Sequence, residues 1–163
     1  MALRFEKQTA KVAHLNVREE MHGEEPTLAA DVKVVADIGN DFLDLLSPGL
    51  RSAMYAGEEQ LEGVEAKMSV LRWPTLKPLD WDCPLEGAKF TLHGARKSDD
   101  LLFECQVKKP LVLACKEGGT VTVSLQVQIT PDPAEMGALA AFLGRVTKVS
   151  LEPQAQPDTP PVE

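Results

Sequence analysis

The side chains able to carry chemistry are few and scattered: His14, His22 and His93, with Cys83, Cys105 and Cys115. A covalent centre needs a nucleophile beside a base that a third group orients. Distances along the chain leave a Cys–His pair open. His14, however, falls on the polar side of a strand-like run, His22 in an acidic loop and His93 at a strand end before Gly94. Each reads as a surface or edge residue. The loop Glu19-Glu20-Met21-His22-Gly23-Glu24-Glu25-Pro26 holds metal-binding residue types. It lacks the alternating oxygen ligands and central glycine of a calcium loop and reads as a solvated charge run, so no metal is expected.

Asp80-Trp81-Asp82-Cys83 and Ser98-Asp99-Asp100 place carboxylates in loops. Acid–base work requires environments that push such groups apart in pKa. Turn formation explains the Ser-Asp-Asp run more cheaply, because these side chains bond local backbone. The fixed-spacing signatures GxxxxGK[ST], GxGxxG, GxSxG, HExxH and HxE…PCxxC do not occur. The expectation is a protein without catalytic residues and without a cofactor.

Binding residues are the alternative. Trp73 and Trp81 flank a proline-rich stretch, and tryptophan is enriched at interaction hot spots. They serve equally as lids over a core poor in aromatics, and that reading is favoured. Lys89, Arg96 and Lys97, placed around one turn, and Lys108-Lys109 before Pro110 are candidates for a basic patch. Against them stands a net charge of −8, from 25 acidic and 17 basic side chains. Such a surface repels phosphate backbones on average. Aromatic residues make up 5% of the chain, too few for a stacking platform on single strands. A protein partner is therefore favoured over nucleic acid, and a small nucleotide ligand stays open.

The elements positioning these residues are mostly strands. Residues 10–19 alternate, with Ala13, Leu15 and Val17 predicted to face one way and His14, Asn16 and Arg18 the other. Alternation resumes from Leu28 to Asp37, and the two runs can pair antiparallel across the acidic loop. Asn40 or Asp41 caps a short helix ended by Ser47-Pro48-Gly49, and Leu50–Tyr55 adds a possible second turn. Residues 57–66 read as a surface excursion and Met68–Trp73 as a strand. The prolines of 74–84 predict an extended loop holding both tryptophans.

Four further runs are β-like: Ala88–His93, Leu101–Val107, Leu111–Lys116 and Thr120–Ile129. Gly118-Gly119 makes a hairpin turn, since both residues tolerate positive φ. Val121, Val123, Leu125, Val127 and Ile129 then share one face. Asp132-Pro133-Ala134-Glu135 is a capping box with proline at the first helical position. The helix it opens carries Met136, Leu139, Ala140 and Leu143 on one side and ends at Gly144, before a closing strand at Val146–Leu151.

The chain is thus expected to be mainly β: an antiparallel sandwich or barrel of about eight strands with one or two short helices, one helix closing an open end. One β-rich domain spans 1–152, and a proline-rich tail at 153–163 is expected to be disordered. Three cysteines without CxxC spacing argue against disulfides and a zinc ribbon. No signal-like or membrane-spanning apolar run is present, so the chain reads as cytoplasmic.

Several stretches occur together in order: Ala13-His14-Leu15-Asn16-Val17-Arg18-Glu19-Glu20 with the Gly23-Glu24-Glu25-Pro26 turn, Asn40-Asp41-Phe42-Leu43-Asp44, Ser47-Pro48-Gly49-Leu50-Arg51, and Gly118-Gly119-Thr120-Val121 leading into the Pro-Asp helix. This pattern resembles a family of small tailed-bacteriophage accessory proteins with no established activity. The resemblance implies a context, the bacterial host cytoplasm, and no site residues. It implies a non-catalytic binding role on a host protein, a defence factor among the possibilities, or on phage DNA metabolism.

Overall fold

The computed structural model describes residues 3–57 and 68–153. The stretch at 58–67 and the tail from 154 lie outside the described residues, and with them most of the expected surface excursion and the tail.

The longest alternating runs pair first. β1 (Phe5–His22) and β2 (Glu25–Gly39) form an antiparallel hairpin that closes at His22↔Glu25. The acidic segment read as a loop is therefore strand up to a turn at Gly23-Glu24. At Ala13, β1 also departs from the reading of its sequence. Val12 pairs with Val34 and His14 with Lys33, so Ala13 is an extra, bulged residue. A bulge moves every later side chain by one position. Ala10 and Val12 before it point into the core, Ala13 is exposed, and Leu15 after it packs on the core again.

α1 (Phe42–Leu46) and α2 (Leu50–Met54) follow β2. Then come β3 (Tyr55–Gly57) and β4 (Met68–Leu71), which form a small two-stranded sheet. β5 (Leu79–Trp81), β6 (Leu85–His93), β7 (Leu101–Val107), β8 (Leu111–Cys115), β9 (Thr120–Ile129) and β10 (Val146–Glu152) complete the strands, with α3 (Pro133–Ala140) before the last. The large sheet runs β2-β1-β10-β6-β7-β9-β8-β5, and β2 also pairs with β9. That last pairing closes six strands into a barrel, with β8 and β5 as an extension. Of the two architectures expected, the barrel is the one formed, with three short α-helices among the described residues.

β9 is its backbone element. Its residues alternate between half-buried and buried, with Val121, Val123, Leu125, Val127 and Ile129 all inside. Burying such side chains contributes roughly 1.5–3 kcal/mol each before entropy is counted. The preceding turn is the glycine hairpin that the sequence predicts: Gly118 and Gly119 have φ of 92° and 87°. Asn40, a buried polar residue, locks this corner. Its N–H donates to the Gly119 carbonyl at 2.9 Å, its side-chain amide donates to the Met68 carbonyl, and its Oδ1 accepts from Arg51 Nε at 2.8 Å. The Tyr55 hydroxyl donates to the Lys116 carbonyl at 2.8 Å, and burial pushes its pKa up to about 12.

Each end of the barrel is covered by a helix. Phe42 of α1 stacks on Phe5 with ring centroids 5.5 Å apart. At the other end α3 has the complete capping box, Asp132 accepting from the Glu135 N–H at 2.7 Å and Glu135 from the Asp132 N–H at 3.1 Å. α3 buries Leu139, as expected. Leu143 is instead exposed and Phe142 packs on the core. After Ala140 the chain tightens into i→i−3 bonds, from Ala141, Phe142 and Leu143, and the tighter winding rotates Phe142 inward.

Candidate functional site

The barrel wall beside α3 assembles a polar cluster from segments far apart in sequence. His93 ends β6, Asp100 precedes β7 and Ser150 lies on β10. His93 Nδ1 lies 3.2 Å from Asp100 Oδ2, and Nε2 lies 2.7 Å from Ser150 Oγ. Asp100 Oδ1 accepts the Gly94 N–H at 2.9 Å, and Ser150 Oγ accepts the Lys7 N–H at 3.0 Å. The Gly94 N–H, helped by His93 and opposed by partial burial, lowers the Asp100 pKa below the ordinary carboxylate value. Lys7 takes φ of 42°, unusual for a residue with a Cβ, within an irregularity of β1 pairing.

These atoms have the connectivity of a Ser–His–Asp relay. Their bonds also tie distant segments together. A groove of about 930 Å³ opens beside them, and His93 lines it while Ser150 and Asp100 do not. The Ser150 hydroxyl, already holding the Lys7 N–H, sits behind the imidazole. The cluster clamps β6, β10, β1 and the 94–100 turn into one wall. Gly94 has no room for a side chain, since a Cβ there would lie 2.5 Å from Asp99 Cβ.

The groove runs between that turn and the end of α3. Its apolar surface comes from Leu101, Ala138, Ala141, Phe142 and Val146, with Arg145 and Lys148 beside them. Lys148 stands between Thr9 and His93 in the strand register, so three lining residues form a row across β1, β10 and β6.

A second surface lies on the β1–β2 hairpin. β2 meets β9 only from Ala30 onward, and β1 meets β10 only up to Lys11. Beyond Ala30 the two strands continue as a ribbon paired only with each other. Val17, Glu19 and Met21 face the same way as their partners Ala30, Leu28 and Pro26. On this face Met21 is 63%, Val17 48% and Leu28 42% exposed. The opposite face is polar and anchored: Arg18 Nε donates to Asp31 at 3.1 Å, Arg18 also pairs with Glu20, and Gln128 Nε2 donates to Glu20 at 3.1 Å.

The residues singled out in the sequence are distributed. Trp81 lies in edge strand β5, paired with Leu111, rather than in a loop, and packs partly on the core. Prolines at positions 78 and 84 bracket this short edge strand, where they cost no central ladder. Trp73 is 54% exposed, so only one tryptophan serves as a core lid. Lys89 lies mid-strand, flanked by Glu104 on β7 and Glu152 on β10, whereas Arg96 and Lys97 belong to the turn past the end of β6. Lys108 and Lys109 line a polar cleft with Glu20 and Asp31. Burial pushes the Cys105 thiol up to about 12 and raises that of Cys115. Among the described residues, no group of three or more His, Cys, Asp and Glu is arranged for a metal, and no helix is long and apolar enough to cross a membrane.

Sequence reasoning did not find Arg145, Lys148, Phe142 or the His93 cluster. Ser150, Arg145 and Lys148 lie far from His93 along the chain, whereas Asp100 lies just across the turn from it. The local signals were Gly94 directly after a strand-end histidine and Asp100 across the same turn. Comparison with protein-family models, curated proteins and solved structures finds no match.

Proposed function

We propose that this protein is a non-catalytic binding module that engages another protein through the ribbon of β1 and β2. The observation that supports it is the apolar face of Val17, Met21 and Leu28, extending past the barrel with Glu19 on the same face and Glu24 and Glu25 at the tip. Apolar centre and charged rim is the composition of protein interfaces. A two-stranded ribbon is marginal by itself and gains from a covering partner. The acidic rim favours a partner whose apolar surface is ringed by lysine and arginine. The resemblance to tailed-phage accessory proteins suggests a host or phage protein in a bacterial cytoplasm, a host defence factor among the candidates.

Nucleic acid is the weaker reading, because Lys89 faces Glu104 and Glu152 and does not extend the Arg96-Lys97 turn. Two assays separate the readings. Affinity capture with the parent and with Met21→Asp should retain one host protein only for the parent. A gel shift with single- and double-stranded DNA at about 100 mM salt should show no retention, whereas specific DNA binders remain tight there. Equal capture by Met21→Asp, or DNA retention lost on Lys89/Arg96/Lys97→Ala, would overturn the proposal.

A further inference from the structure

The groove beside α3 concentrates cations on an acidic protein. Arg145 and Lys148 line it, and Arg96 and Lys97 fill the turn between the lining residues Ala95 and Ser98. Among the described residues none of these four side chains has an ion-pair partner. The one carboxylate in the lining is Asp99. Both ring nitrogens of His93 are engaged, by Asp100 and Ser150, so that residue offers the groove its ring rather than a free donor. Ser98 and Thr9 bring hydroxyls to the same lining.

Apart from Thr147, whose hydroxyl donates to the His93 carbonyl, the rest of the surface is apolar and includes one phenyl side chain, Phe142, partly buried and fixed against the core. The volume of about 930 Å³ lies toward the upper end of small-molecule sites, roughly 300–1,000 Å³. A ligand matching this surface needs an anionic group for the rim and a flat apolar body for the floor. Arginine forks suit phosphate, and an aromatic ring suits a base. We infer that the groove binds a nucleotide, its phosphate held by Arg145 and Lys148 and its base set against Phe142 and Val146. This site is separate from the ribbon and does not depend on it.

Isothermal titration at about 100 mM salt tests the inference, using AMP, GMP, CMP, UMP, the dinucleotide pApA and cyclic di-AMP as probes. At least one should bind with Kd on the order of 10 µM or tighter, a reasonable value for a ligand of that size. Adenosine and inorganic phosphate should each bind at least about tenfold more weakly, because each supplies only half of the recognition. Arg145→Ala and Lys148→Ala, both at exposed positions, should weaken binding about tenfold with an unchanged melt. Val146→Glu should abolish it by placing a carboxylate on the floor, and Lys89→Ala and Met21→Asp should change nothing. The inference is overturned if no probe binds at millimolar concentration. It is equally overturned if adenosine or inorganic phosphate matches the nucleotides, if decyl phosphate binds where nucleotides do not, or if the two cation variants bind like the parent.

Discussion

Along one face of the β1–β2 hairpin, Val12, Ala30, Val32 and Val34 are buried, whereas Val17, Met21 and Leu28 are open to solvent. The strands and their pairing are the same in both regions. What changes is the neighbours: β10 and β9 flank the first region, and beyond Lys11 and Ala30 they no longer do. Alternation therefore marks which side of a strand is apolar without saying what covers it. The closed part is a core, and the open part is an exposed apolar surface.

That contrast breaks most visibly in the closed region. Leu125 is buried on β9, so Leu125→Ala should cost about 3 kcal/mol, read as a lower denaturation midpoint at unchanged slope. An unshifted midpoint would mean that β9 does not hold the register described. Next in size is Gly94→Ala at the groove wall, where the new Cβ meets Asp99 at 2.5 Å. Overpacking of this kind costs roughly 1–3 kcal/mol, visible as a lower melting temperature. A neutral Gly94→Ala would show that the turn relaxes freely.

The acid limb of stability offers a smaller effect with a defined sign. The folded-state pKa of Asp100 lies below its unfolded value of 3.8, because the Gly94 N–H and His93 favour the carboxylate. Its contribution is fully present above the unfolded pKa and is lost as pH falls through the lower folded one. Replacing it in Asp100→Asn should flatten the decline in stability below about pH 4, measured by denaturation across pH 3 to 7. Parallel pH profiles for the two proteins would remove Asp100 from the clamp. The smallest stability effect belongs to the open region: Met21→Asp, on a residue 63% exposed, should stay within about 0.5 kcal/mol of the parent. A large loss there would mean that Met21 is structural.

The same contrast explains what could be read from the chain. The face of β9, its glycine turn and the α3 capping box are written in residues within a few positions of one another. The strand boundaries of β7 and β9 follow from the same local alternation. The bulge at Ala13 was not legible, because an extra residue leaves no mark on alternation until a partner strand supplies the register. The acidic segment 19–26 looked like a loop since its charge and Pro26 argued against burial, and the ribbon is in fact not covered on either edge. Asp100 reaches His93 across a single turn, but Ser150 meets them only because β6 lies beside β10. Arg145 and Lys148 reach the groove only because α3 ends where it does.

We propose the open face of the ribbon as the seat of a partner protein. Amide hydrogen exchange of the protein with and without its captured partner tests this most directly. The ribbon amides of residues 17–28 should exchange readily in the free protein and become protected in the complex, with the groove residues 138–148 unchanged. Protection confined to the groove, or a ribbon that exchanges alike in both states, would contradict the account.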